Sequence, residues 1–356
     1  MKLFAVILAA AAAAPFAGAQ APEVKTAEQV YKNIQQLKGT PADQLNAAMQ
    51  FISVSLGVDC EACHVAGKFD ADDKNNKKTA REMMAMTAAI DKDSFRGQRQ
   101  VTCYSCHRGS LRPVAVPPVQ DSDTPAHPAA PPAADGPPPT VDDIIAKYLA
   151  AAGGADTMKN ITSRTMKGTL MAMGSETAID LYTKAPNKRV SISHMSPTAD
   201  SYTAFDGAVG WLGTTGHAAR EMSPAEAFAS SLDADFYLVA HLKELFPQLR
   251  RGRPADVAGT MCETINATKP GQPAVVFYFD QKTGLLQRMV RFADTPMGRM
   301  PTQIDYADYR EVDGVKTPWR LTLARTNGRF TIQLKEVKNN VAIEDAKFAK
   351  PEGDVK

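Results

Sequence analysis

Two short stretches decide how this chain is read: CEACH, from Cys60 to His64, and CYSCH, from Cys103 to His107. Each sets two thiols three positions apart and puts a histidine directly after the second. Structural zinc, a local disulfide and covalent attachment of haem all use such cysteine pairs. Zinc sites built from two CxxC pairs separate them by roughly 15–20 residues, whereas Cys63 and Cys103 stand 40 apart, and zinc leaves both histidines unexplained. A CxxC disulfide closes a ring too small to constrain the unfolded chain much. Haem attachment uses every residue of the motif: the thiols add to the two vinyl groups as thioethers, and the histidine reaches the iron from one side. The motifs therefore predict two covalently bound haem c groups, on Cys60/Cys63 and Cys103/Cys106, with His64 and His107 as iron ligands. Zinc and local disulfides stand as the alternatives.

The beginning of the chain bears on the same choice. MKLFAVILAAAAAAPFAGAQAPEV has one lysine, an apolar run from Leu3 to Ala14, a break at Pro15 and the small residues Ala17-Gly18-Ala19. This is the layout of a secretory signal peptide over 1–19, with an uncleaved membrane anchor as the alternative. It predicts a periplasmic location, where paired thiols oxidise unless a cofactor takes them. No cysteine near the cut offers a lipid anchor. A net charge of +2, with Lys and Arg spread along all 356 residues, points to no nucleic-acid partner.

Ten prolines fall between Pro113 and Pro139, with alanine and aspartate and no aromatic residue. Such a stretch cannot pack a core, and 113–139 reads as an extended linker. It divides the chain into a domain over 20–112 and one over 140–356. The first reads as helical. Leu45, Ala48, Met49, Ile52 and Leu56 share one face, with Gly57 as a stop signal. Ala80, Met83, Met86, Thr87 and Ile90 mark the apolar face of a second helix. Each helix leads to a CxxCH, so one unit occurs twice.

The iron's sixth position separates electron transfer from reaction with small molecules, and a methionine there closes the iron and raises its potential. Met49, eleven residues before Cys60, is the candidate for the first haem. For the second, Met83 and Met86 share the apolar face, while Met84 is turned about 100° from Met83. Spacing alone does not choose between Met83 and Met86. His127, His194, His217 and His241 lie in the linker or beyond it and are read as ordinary polar residues.

The stretch from Cys60 to Val114, with the helix carrying Met49 before it, resembles the cytochrome subunit of photosynthetic reaction centres. The shared features are AREMMAMT, VTCYSCHRG and a proline shortly after. The resemblance implies an all-α c-type dihaem domain over about residues 40–118. It makes the methionine after Ala80-Arg81, Met83, the second axial ligand. It also implies electron donor and acceptor proteins as partners, a membrane reaction centre or a respiratory complex among them. Four motifs are usual in those subunits and two are present here.

The domain over 140–356 changes to strand-like alternation, with hairpins around Lys282-Thr283-Gly284 and Asp313-Gly314. A helical interlude runs through SPAEAFASSLDADFYLVAHLKELFPQL. We expect α+β architecture, a strongly curved antiparallel sheet with helices against one face. FDGAVGWLG, FYFDQKTGLLQRM and YREVDGVKTPWRL resemble half-barrel domains of outer-membrane lipoprotein-sorting and carrier proteins, whose curved sheet wraps a helix or an acyl chain, which implies either a lipid ligand or a structural or docking domain with a filled core. Cys262 is expected to be a lone buried thiol. Three functions follow: an electron relay that is no enzyme, a peroxidase-like dihaem enzyme with one open iron, or a lipid or lipoprotein binder with a redox-sensing haem module.

Overall fold

A computed structural model describes residues 24–113, 137–172, 174–326 and 328–351. The signal peptide and nearly all of the expected linker lie outside these residues. The N-terminal part is helical. Its helices are α1 (Ala27–Val30), α2 (Leu45–Leu56), α3 (Asn75–Ser94) and α4 (Cys103–His107). Helix α2 follows the expected periodicity and buries Ala48, Phe51, Ile52 and Leu56. It ends where Gly57 takes φ +64°, a left-handed conformation that glycine adopts without a Cβ penalty. Helix α3 departs from expectation: Met86 is 44% exposed, and the buried positions are Lys77, Thr87 and Asp91. Lys77, half-buried Met84 and Asp91 stand seven residues apart, two helical turns, with Thr87 beside them.

The remainder holds helices α5 (Val141–Ala151), α6 (Ala155–Lys159), α7 (Pro224–Ala234) and α8 (Leu242–Leu245) and one antiparallel sheet. Its first strands are β1 (Ser163–Ala172), β2 (Ser175–Lys184), β3 (Lys188–Ser196), β4 (Ala199–Phe205), β5 (Gly210–Thr214) and β6 (His217–Glu221). After α7 and α8 come β7 (Gln248–Arg251), β8 (Ala255–Val257), β9 (Thr260–Thr268), β10 (Val275–Asp280) and β11 (Leu286–Thr295). The last are β12 (Gly298–Val312), β13 (Val315–Arg325) and β14 (Gly328–Asn339). The sheet is open, ordered β6-β5-β4-β3-β2-β1-β14-β13-β12-β11-β10-β9-β7, with β8 paired to β9. Two meanders thus join where the last strand lies beside the first.

Register sets which face is apolar. Ile265, Phe277, Met289, Ile304, Leu323 and Phe330 are successive cross-strand partners from β9 to β14 and so share one face. Against this face pack Ile144 and Ile145 of α5, Leu232 of α7, and Leu242 and Phe246, in one buried cluster. Capping starts two of these helices: Thr140 accepts from the amide of Asp143, and Ser223 from that of Glu226. Cys262 is fully buried and unpaired, as expected. Among the described residues no helix is long and apolar enough to cross a membrane.

The two parts touch. The turn between β11 and β12 reaches α2, where Met297 is buried with Phe51, Ile52 and Cys103. A Cβ on Gly298 would overlap the Phe51 ring, so only glycine lets the turn approach this closely. Arg99 completes the contact by donating from Nη1 to the Thr295 carbonyl at 2.8 Å.

Candidate functional site

Gly57 ends α2 and turns the chain so that Cys60 begins three residues later. Cys60 is exposed, Cys63 and His64 half-buried. Nδ1 of His64 lies 2.9 Å from the Phe69 carbonyl. A carbonyl only accepts, so Nδ1 carries the proton and Nε2 keeps its lone pair. The same carbonyl accepts from Nζ of the buried Lys77 at 3.0 Å, and Lys77 also donates to the Ala71 carbonyl at 2.8 Å. Asp72 gathers Lys77 at 3.1 Å and Arg81 at 2.9 Å. Those partners, Arg81 foremost, hold the Asp72 carboxyl far below its ordinary range. Helix α3 thereby pins the loop that orients His64.

A cavity of about 680 Å³ opens beside this motif, bounded by Cys60, Cys63, His64, Met49, Ile52, Leu56 and Met84. Thiols, histidine and an apolar wall with a methionine are what covalently held haem needs, and the residues fit it. The candidate ligand Met49 lines this cavity. Met84 is the surprise, because it faces this cavity rather than turning away. Its signal was present in the seven-residue spacing Lys77–Met84–Asp91, which the polar end members disguise.

The second motif occupies α4. Thr102 caps it reciprocally with Ser105, and Asp91 secures the approach by accepting from the amides of Gln100 and Val101 at 3.0 and 2.8 Å. Cys103 is buried, Cys106 exposed and His107 half-buried. Burial pushes the thiols of Cys63 and Cys103 up from the ordinary value. Nδ1 of His107 lies 2.9 Å from the Ser110 carbonyl, repeating the tautomer of His64. Just past this motif, Gly109 donates to the Ser55 carbonyl at 2.9 Å, packing the second motif against the end of α2. Met83 sits on α3, half-buried, one residue from the methionine that faces the first cavity.

None of the five cysteines is joined to another in a disulfide. Among the described residues no three His, Cys, Asp or Glu side chains gather as a metal-holding group, so the two CxxC pairs do not assemble a four-thiolate centre. His194 and His241 pair with aspartates in the β-sheet part, His194 with Asp200 at 2.9 Å and His241 with Asp235 at 3.0 Å. His127 lies outside the described residues.

A second cavity, of about 250 Å³, lies between the apolar face of the sheet and α5 to α7. Leu321, Leu323, Phe330 and Ile332 line it from the sheet, and Arg164, Arg189 and Tyr306 bring polar groups to it. Sequence reading found the apolar face but not these cations, which stand at alternate positions of ordinary-looking strands.

The model of the photosynthetic reaction centre cytochrome C subunit family matches residues 4–135. A photosynthetic reaction center cytochrome c subunit of Thermochromatium tepidum is 34% identical over 91 residues, 24% of this chain and 22% of that protein. The match thus spans about a fifth of the length of this curated relative. Among solved structures, a LolA superfamily protein from Nitrosomonas europaea aligns with 60% of this chain and 99% of its own at 10% identity, TM-score 0.42. A putative outer membrane lipoprotein-sorting protein domain from Vibrio parahaemolyticus aligns with 59% of this chain and 96% of its own, at 10% identity and TM-score 0.42. The part of the chain within residues 4–135, which holds both CxxCH motifs, is thus similar to the photosynthetic reaction centre cytochrome C subunit family, and a cytochrome c family implies covalent haem c.

Proposed function

We propose that this protein is a periplasmic dihaem c-type cytochrome that relays electrons between a donor and an acceptor protein, a membrane reaction centre or a respiratory complex. The observation that carries the reading is the repeated histidine geometry. In both motifs Nδ1 lies 2.9 Å from a backbone carbonyl, which leaves Nε2 its lone pair and free to serve as a metal ligand. Cys60, Cys63, Cys103 and Cys106 would hold the two groups, and His64, His107, Met49 and Met83 would serve as the iron ligands. Haem so ligated supplies a one-electron couple with no open coordination site. The chain's own part is to fix both histidine rings, cover the groups with apolar side chains and limit water.

Mass spectrometry of matured protein should read two haem masses above the polypeptide, and reduced protein should show little spectral change with carbon monoxide. A large shift at one haem would favour the peroxidase-like enzyme and overturn the relay. Met83→Ala should lower the potential of the second haem and open its iron. Met84→Ala should perturb the first haem, whose cavity it borders. The second cavity favours an added role for the β-sheet part, as holder of an apolar ligand of lipid type.

A further inference from the structure

The charges around the second cavity do not balance. Asp233 and Asp235 both line it, but each carboxylate is already engaged. Asp233 grips Arg291 in a two-point pair at 2.8 and 3.0 Å, and both oxygens of Asp235 lie 3.0 Å from Nδ1 of His241. Arg189 spends one Nη on the Asp233 carbonyl at 3.0 Å. Arg164 has no ion pair among the described residues. Its Nε donates to Asn339 at 2.7 Å, its guanidinium lies over the Phe236 ring at 5.3 Å, and both Nη groups are left without a partner. Burial lowers this guanidinium to about 10, with Tyr148, Tyr237 and Asp313 acting the other way, and Asp313 is reached only through the shared Asn339.

Two phenols stand in the same cavity. Tyr148 and Tyr306 line it, and neither hydroxyl makes a hydrogen bond among the described residues. Their neighbour Tyr309 is already used, donating to the Leu286 carbonyl at 2.7 Å. Burial raises both free phenols, Tyr148 to about 12, so they are proton donors. Arg164 acts on Tyr148 and shares the cavity wall with Tyr306, and a guanidinium fork with hydroxyl donors suits a planar two-oxygen acceptor. The rest of the wall, Leu321, Leu323, Phe330 and Ile332, suits a hydrocarbon body. A volume of about 250 Å³ is roughly eight waters at about 30 Å³ each, room for one short chain rather than two.

We infer that this cavity is a binding site for a small monocarboxylate with a single apolar chain, its head between Arg164, Tyr148 and Tyr306 and its tail along the sheet. The inference rests on the reading of the cavity as an apolar-ligand site and adds the head group that reading leaves open.

The test is calorimetric titration of the full-length haem-loaded protein with octanoate and with octanol. Octanoate should bind at least about tenfold tighter than octanol. Arg164→Gln should erase that preference while leaving the circular dichroism spectrum unchanged. Should Arg164→Gln fail to fold, Tyr306→Phe must weaken octanoate and spare octanol. Equal affinity for both ligands, or octanoate binding indifferent to both variants, overturns the carboxylate head but leaves the apolar site standing. If neither ligand binds, the inference and the apolar-ligand reading fall together.

Discussion

Met297→Ala tests whether the turn between β11 and β12 is truly seated on the haem-bearing part. Met297 is 8% exposed and is buried with Phe51, Ile52 and Cys103 across the contact. Truncating a buried methionine to alanine costs about 2–5 kcal/mol. The seat lies at the tip of a hairpin that can settle into the space, so the low end applies, about 2 kcal/mol. That is roughly a 30-fold shift in the equilibrium between seated and open turn. The amide of Gly298 reports it. This group donates to Thr295 Oγ1 at 3.1 Å inside the buried turn, and it exchanges with solvent only on opening. Hydrogen exchange followed by mass spectrometry should therefore show the 293–300 segment losing about 30-fold in protection. Met195→Ala, at a side chain 60% exposed on β3, should leave it unchanged. Protection unaltered in Met297→Ala would mean that the turn holds its shape alone and that the buried cluster contributes nothing to docking.

Replacing Cys103 and Cys106 together by alanine should remove one haem mass and leave the first; loss of both would show that the two sites mature as a unit. Lys77→Met removes two donations to loop carbonyls and the pair with Asp72, and should cost about 2–3 kcal/mol by urea unfolding; a change under about 0.5 kcal/mol would show that water replaces the ammonium. His194 is raised above its ordinary value of 6.5, chiefly by Asp200 with Asp180 adding to it. The stability it gives is complete below 6.5 and is lost as pH rises through the higher folded value. The melting temperature of the wild type relative to His194→Gln should thus shrink on going from pH 6 upward, and a difference that grew with pH would reverse the sign argued here.

Much of the architecture was legible because local and long-range demands agree. In α2 the apolar period, the glycine stop and the buried face coincide. The strands from β10 to β14 alternate plainly, since one face carries Phe277, Met289, Ile304 and Leu323. Legibility failed where polar groups do structural work. The inward side of α3 includes Lys77 and Asp91, whose side chains bond loop backbones, and Thr87, which donates to the Met84 carbonyl of its own helix, so hydrophobic periodicity misses the two charged members and wrongly includes Met86. Strand-like alternation does not show the break between β4 and β5, where Asp206 accepts from the amides of Ala208 and Val209 and Gly207 takes φ +105°. The short strands β6, β7 and β8 carry too few residues to declare a period, and β9 buries Thr264 among its apolar positions. The cysteine motifs were readable outright because their chemistry is local. The contact of Met297 with α2 joins residues about 240 positions apart, and no local pattern encodes it.

Strands β11 and β12 make the hairpin a ruler. One end rests on Phe51 of α2, and the same strands supply Leu286, Ile304 and Tyr306 to the second cavity. From Gly298 to Tyr306 an antiparallel strand rises about 27 Å, at about 3.4 Å per residue. This span, rather than the number of residues between Pro113 and Pro139, sets how far a bound molecule sits from the cysteine motifs. Lengthening that proline-rich stretch would leave the separation as it is, because β11 and β12 join the second cavity directly to α2.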